Sequence, residues 1–167
     1  MPSIPTIGTH RLILRPPTIE DWPDYEKLML SDRAVHMRGP FATESAWGMF
    51  CNDVAQWQLF GHGALMMECR ETGACFGQVG IIHGPLFPER ELGWFVYKQA
   101  EGKNYAFEAA SALRDWAFNV RKFETLVSYI GSANDRSRKL AERLGARIDV
   151  AASRPDPTDL VYRHPNA

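Results

Sequence analysis

The most informative segment of the chain reads ELGWFVYKQAEGKNYAFEAA and covers residues 91–110. Its first seven residues are mostly apolar and predict a central β-strand at 91–97. A short polar loop follows. Alanines and larger apolar residues then recur at helical spacing and predict a long helix at 104–120. A strand, a loop and a helix therefore follow one another directly here.

The loop of this segment is suited to binding an anion. The first amides of an α-helix lack partners within the helix and carry partial positive charge, so a diphosphate fits there. Gly102 has no side chain to keep the backbone away from phosphates, and Lys103 adds a positive charge. An ordinary surface loop is the alternative, because neither the P-loop pattern nor the G-x-G-x-x-G pattern is present.

The rest of the chain predicts further strands and helices around this segment. The predicted strands lie at 11–15, 64–70, 75–82, 91–97 and 125–130, near 148 and at 160–162; the predicted helices lie at 19–30, 44–60, 104–120 and 134–144. Tight turns between consecutive strands imply antiparallel pairing, and the strand–helix–strand passage over 91–130 implies one parallel crossover. We therefore expect an α+β fold, with a mixed, mostly antiparallel sheet of about seven strands flanked by about four helices.

Length and composition indicate one ordinary globular domain. The 167 residues fit a single domain, predicted at 7–165 after a loose leader at 1–6. With 19 basic and 20 acidic residues the net charge is -1, which does not favour nucleic acid or an anionic membrane as a partner. The sequence shows no secretory signal and no run near the ~20 apolar residues of a membrane span. We expect a cytoplasmic protein.

The cysteines predict neither disulfides nor a metal site. Cys51, Cys69 and Cys75 are odd in number and sparse, which argues against a disulfide framework. Their spacing does not suit zinc. We expect reduced thiols and no bound metal.

Four segments together carry a resemblance to a known family. They are 101–110 followed by Trp116-Ala117-Phe118; Arg11-Leu12-Ile13-Leu14-Arg15; Asn134 and Ser137 with Leu144-Gly145; and Tyr162-Arg163-His164-Pro165. In this order they resemble the GNAT acetyltransferases, most closely the RimJ/RimL-like branch. The resemblance implies the GNAT fold, acetyl-CoA as cosubstrate and direct acetyl transfer to a primary amine of a small molecule or a peptide N-terminus. It also makes a homodimer a reasonable expectation.

The resemblance also implies residues that bind acetyl-CoA. The amides of the loop and first helical turn are expected on the diphosphate: Gly102, Lys103, Asn104, Tyr105 and Ala106. The amides of Phe95 and Val96 are expected near the thioester and the pantetheine arm, if the strand bulges as the family's does. Asn134 is expected to bond to the pantetheine. Arg136, Arg138 and Lys139 either meet the 3′-phosphate or form a solvated helix face.

Two positions depart from the family motif. Glu101 stands where the family usually has Gln or Arg, and Asn104 stands where it usually has Gly. Asparagine tolerates unusual backbone angles, so the loop can keep its shape, and we expect Glu101 to turn outward. These changes leave two alternatives open, a catalytically silent CoA-binding module and an interaction domain without cofactor.

Catalysis requires a base, because an alkylamine with a pKa near 10 is protonated at neutral pH. Glu91 stands where several GNAT enzymes place a catalytic glutamate; a solvent-exposed strand-edge residue is the alternative. Ser137 either donates to the departing thiolate or only contacts the cofactor. Ala141 occupies the position of the tyrosine acid that many relatives have, so that acid is absent.

The acceptor pocket is expected between the two N-terminal helices and the strand loops. Met37, Phe41, Trp47 and His83 are the candidate residues, with His83 as a possible second base. Aromatic residues at helical spacing also suit an ordinary core, so this alternative remains open.

Overall fold

The computed structural model describes residues 3–166 and shows one eight-stranded sheet with helices on both faces. The strands are β1 (Ile7–Gly8), β2 (Leu12–Arg15), β3 (Ala64–Cys69), β4 (Cys75–Ile82), β5 (Glu91–Val96), β6 (Val127–Gly131), β7 (Arg147–Ile148) and β8 (Asp159–Arg163). The helices are α1 (Trp22–Met29), α2 (Thr43–Phe60), α3 (Tyr105–Asn119) and α4 (Asp135–Arg143). The predicted α+β architecture is confirmed.

The strand order is β1-β2-β3-β4-β5-β6-β8-β7, and among the strand pairs of residues 3–166 only β5–β6 is parallel. The crossover between β5 and β6 runs through α3, as predicted. The additional strand is β1, which lies at the start of the predicted domain. Met1 and Pro2 of the predicted leader lie outside the described residues, and Ile4 packs against the main core.

Strands β5 and β6 separate soon after they meet. In the described chain a single pair, Glu91 and Val127, links them in the ladder. The Ser128 hydroxyl then donates to the Leu92 carbonyl at 2.5 Å. Beyond this point the two strands diverge, which leaves a gap in the sheet beside the end of β5.

Helix α3 packs closely on one face of the sheet because its inner face is small. Ala109, Ala110 and Ala117 are fully buried there. The start of the helix is tied to β2 by Glu108, which accepts hydrogen bonds from the Arg11 amide and guanidinium, both at 2.7 Å. The loop before α3 is therefore held in a fixed position relative to the sheet.

Helices α1 and α2 cover the opposite face through an aromatic cluster. The Tyr25 ring lies 5.1 Å from that of Phe50 and 5.8 Å from that of Phe95. Two helix boundaries differ from the prediction. The region predicted as one helix at 19–30 opens with a 3₁₀ turn at Ile19–Asp21, and α2, predicted from 44, begins at Thr43 with Ala42 as its cap. All cysteines are free.

Candidate active site

Two adjacent clefts meet at β5. The larger, of about 550 Å³, lies on the α1/α2 face; the smaller, of about 350 Å³, lies between the start of α3 and α4. Both are lined by Met37, Trp94, Phe95, Asn134 and Ser137. A long ligand in the smaller cleft can therefore reach a second ligand in the larger one.

The loop before α3 has the shape that its sequence predicts. Gly102 (φ 72°) and Asn104 (φ 62°) both adopt the left-handed region, which glycine and asparagine tolerate best. The Asn104 side chain makes no capping bond to the helix; instead its Oδ1 accepts from Arg143 at 2.9 Å. The first amides of α3 thus remain available to an anion, and Ala106 in that turn lines the smaller cleft.

Glu101 does not turn outward, so that expectation is wrong. Its carboxylate lies in the smaller cleft between two arginines, 2.5 Å from Arg33 and 3.0 Å from Arg136. Hydrogen bonds from Arg136 and Arg33 lower the pKa of Glu101. Its hydrogen-bond partners are these two guanidiniums, and within residues 3–166 no amide of α3 donates to it, so the carboxylate does not cap the helix start.

The amides beside the gap belong to alternate residues of β5. The Tyr97 amide donates to the Phe76 carbonyl of the neighbouring segment at 2.8 Å, and the β4–β5 register is continuous. Because amides alternate in direction along a strand, that of Phe95 also points to β4, whereas those of Trp94 and Val96 point to the gap. The predicted contact of the Phe95 amide with the thioester is therefore wrong. The Trp94 amide, together with that of Val96, points to the gap instead.

Asn134 and Ser137 form a small network at the start of α4. Asn134 Oδ1 accepts from the Ser137 amide at 3.3 Å and caps the helix. The Trp94 indole N–H donates to Ser137 Oγ at 3.3 Å. Since this oxygen accepts from Trp94, its own hydroxyl proton is free to be donated to a group in the cleft. Arg138 instead contacts Tyr162, and Lys139 is exposed.

Glu91 lies in the larger cleft and is partly buried, so it is not an exposed edge residue. Burial raises the pKa of its carboxyl to about 7, with added repulsion from Asp159 and Asp53 and an opposing hydrogen bond from the Tyr129 amide. A carboxylate with this pKa can accept a proton near neutral pH.

Of the four predicted acceptor residues, Met37 lines the cleft and the others do not. Trp47 is 43% exposed, with its ring edge-on to Trp22 at 5.0 Å. Phe41 packs into the aromatic cluster, and His83 lies beside Phe60. Helical spacing located an apolar face of α2 but did not identify which of its residues meet the cleft.

Several polar residues of the larger cleft were not predicted from the sequence, and Asp53 and Gln78 are two of them. Each had a signal. Asp53 interrupts the apolar stripe of α2 between Phe50 and Trp57, and Gln78 interrupts an otherwise apolar strand, β4. A polar residue at a position that the pattern buries is an indicator of function.

A splayed parallel strand pair beside an uncapped helix start defines the class of protein here: a GNAT-type acyltransferase fold. The family model described as acetyltransferase (GNAT) domain matches residues 11–147, and the chain belongs to this family. Across residues 3–166, no helix is long and apolar enough to cross a membrane, and no group of side chains could hold a metal ion.

Relatives agree with this assignment. The crystal structure of an acetyltransferase from Agrobacterium tumefaciens str. C58 is 54% identical, covers 98% of this chain and 96% of that chain, and superposes with a TM-score of 0.95. RimL, a ribosomal L7/L12 alpha-N-protein acetyltransferase solved with coenzyme A, shares the fold at 16% identity, 96% and 97% coverage and a TM-score of 0.72.

One curated relative matches part of the chain. The uncharacterized protein YkkB of Bacillus subtilis is 32% identical over 88 residues, which are 52% of this chain and 51% of that protein. The matched segment thus spans about half the length of this curated relative.

Proposed function

We propose that the protein transfers an acetyl group from acetyl-CoA directly to a primary amine. The observation that carries the proposal is the junction of the two clefts at Trp94 and Ser137, next to the uncapped start of α3. The amides of α3 bind the diphosphate, the gap between β5 and β6 takes the pantetheine arm, and the amine enters through the larger cleft.

The chain supplies the groups that such a transfer needs. Glu91 takes the proton of the ammonium, directly or through water, so that the nitrogen can attack the thioester carbon. The amides of Trp94 and Val96 stabilise the oxyanion as the C–N bond forms. The nitrogen of the tetrahedral intermediate then loses its second proton, and as the C–S bond breaks the Ser137 hydroxyl is placed to relay a proton to the departing thiolate.

Thiol release in the presence of acetyl-CoA tests this function. We expect free coenzyme A to form only when an amine is added, in a screen of amino acids, polyamines, aminoglycosides and N-terminal peptides. Binding of acetyl-CoA without thiol release from any amine would instead favour a catalytically silent module. Absence of binding would favour an interaction domain that has lost the cosubstrate.

Glu101→Gln is expected to tighten acetyl-CoA binding by about three- to fivefold. The change removes a negative charge from the smaller cleft and frees Arg33 and Arg136 for phosphate, an effect on the scale of one exposed ion pair, roughly 0.2–1 kcal/mol. Calorimetric titration at low and high salt measures it. Glu71→Gln, on an exposed turn, is the control. Unchanged or weaker binding in Glu101→Gln would show that these arginines do not meet the cosubstrate.

Replacing Gly93 by progressively larger residues is expected to narrow the larger cleft progressively. A Cβ at Gly93 meets no other group within 4 Å, so Ala, Val and Leu at this position extend into the cleft without backbone strain. KM for the amine should rise along that series, by about tenfold or more for Leu, while the Kd of acetyl-CoA stays within about twofold. Equal KM values in all three variants would place the acceptor elsewhere.

A further inference from the structure

One face of the β4–β5 pair forms the floor of the larger cleft. Because side chains alternate along a strand, every second residue faces the cleft: Gln78, Gly80, Ile82, Glu91, Gly93 and Phe95. The residues between them on β4, Val79 and Ile81, are fully buried on the other face.

The middle of this floor has no side chains. Gly80 and Gly93 are paired across the two strands, so a shallow channel runs over them. Glu91, opposite Ile82, stands at one end. Gln78 lies four residues further along β4 at the other end, roughly 13 Å away at the strand rise of ~3.3 Å per residue.

At the Gln78 end lies a carboxylate that has no cationic partner. Asp53 Oδ2 accepts hydrogen bonds from the Tyr25 hydroxyl at 3.2 Å and from Gln78 Nε2 at 2.9 Å, both neutral donors. No lysine or arginine between residues 3 and 166 pairs with it. Burial raises the pKa of Asp53 to about 6, so the group is ionised at neutral pH although its charge is not compensated.

Gln78 provides a second, independent sign of a missing ligand. The residue is 7% exposed, and its Oε1 has no hydrogen-bond partner in the part of the chain that the structure describes. The Nε2 contact with the Asp53 carboxylate fixes which end of the amide is oxygen. A buried acceptor without a donor is costly, and donors are usually found for such atoms. A group with several N–H donors would satisfy both residues.

The charge of the larger cleft favours a cation. Asp53, Glu91 and Asp159 line it. Arg38 also lines it, but its guanidinium is already paired with Asp156 at 2.9 Å and Asp159 at 3.5 Å. The walls between the acidic ends are apolar, with Met29, Met49 and Phe95 among them.

We propose that the acceptor is a linear aliphatic diamine: one amine reacts beside Glu91, and Asp53 with Gln78 binds the second ammonium group. This inference rests on the proposed acetyl transfer and names its substrate class. The apolar spacer lies over Gly80 and Gly93. Asp53 is then a specificity residue that contacts the substrate at the end remote from the reacting nitrogen.

Matched pairs of amines test the proposal. Thiol release is measured with 1,4-diaminobutane against n-butylamine and with longer homologues of each. We expect kcat/KM to be at least about 30-fold higher for the best diamine than for its monoamine, since a charged hydrogen-bonded contact is worth this much. Equal values would overturn the diamine proposal alone. Absence of thiol release from every amine would overturn the proposed function itself.

Asp53→Asn removes the charge and keeps an oxygen for Tyr25 and Gln78. We expect it to abolish most of the diamine preference while kcat/KM for the monoamine stays within about threefold. Asp115→Asn, which removes the same charge from the exposed side of α3 and outside the cleft lining, should leave the preference intact. Equal losses for both amines in Asp53→Asn would show a structural role and overturn the proposal.

Binding can also be followed without turnover. With coenzyme A, which has no acetyl group to transfer, the best diamine of the series should raise the Tm of the protein and its matched monoamine should not. Gln78→Met should lose this response and serves as a second variant if Asp53→Asn fails to fold. A diamine-induced rise in Tm of native size in a folded Asp53→Asn or Gln78→Met variant would contradict the assignment of that residue to the second ammonium group.

Discussion

Replacing Glu91 by glutamine is expected to lower kcat by about two to three orders of magnitude, within the range of general-base catalysis. The amide cannot take the ammonium proton, and the reacting nitrogen stays protonated. Because glutamine has nearly the same shape, acetyl-CoA binding should change little. The Tm should not fall and should rise above neutral pH, because the buried position disfavours the charged carboxylate that the change removes. Steady-state thiol release with the best amine measures the effect.

The pH profile gives a second signature of Glu91. Its pKa is raised to about 7, and the carboxylate acts only when deprotonated. In the native protein kcat/KM should therefore rise from pH 6 to pH 8 with a midpoint near 7, and Glu91→Gln should lose this limb. Glu124→Gln, on the exposed surface, is the control. Full activity in Glu91→Gln, or an unchanged rise of kcat/KM with pH, would show that Glu91 does not act as the base.

Ala106→Glu is expected to weaken acetyl-CoA binding by about two orders of magnitude. The new carboxylate occupies the first turn of α3, where it would take the amides and repel the diphosphate. Losing one or two charged hydrogen bonds costs about 1.5–3 kcal/mol each, and each 1.4 kcal/mol is tenfold in Kd.

The same substitution should not harm the fold. A glutamate in the first turn interacts favourably with the helix dipole, and Ala106 faces the smaller cleft. The Tm without ligand should stay the same or rise. Asn119→Glu, with the same charge at the far end of α3, should keep normal binding. Equal Kd values for Ala106→Glu and the native protein would show that the diphosphate does not bind at the start of this helix.

Local patterns predicted most of the fold correctly. The strand–loop–helix order over residues 91–110 is as predicted, and Asn104 adopts one of the unusual backbone conformations that asparagine tolerates. The short strand β1 was not predicted because two residues are too few to show the alternation of apolar and polar side chains that marks a strand. The second helix, predicted at 44–60, begins one residue earlier, at Thr43, within the usual uncertainty of helix ends.

The candidate site was predicted less completely, because it depends on contacts between distant segments. Glu101 meets Arg33 and Arg136 from two other elements, and no local pattern shows that. Asp53 and Gln78 come together through the packing of α2 on β4. By contrast, Asn134 and Ser137 belong to one motif, and the structure brings them to the cleft junction as a unit.

The most direct test is the thermal stability of the protein during a titration with acetyl-CoA, with S-acetylpantetheine, which lacks the diphosphate, as control. If the amides at the start of α3 hold the diphosphate, acetyl-CoA at 100 times its Kd adds about 2.7 kcal/mol of stability. That raises the Tm by roughly 5–10 °C, and S-acetylpantetheine should leave it nearly unchanged. An unchanged Tm at millimolar acetyl-CoA, or an equal shift with the control, would contradict the account.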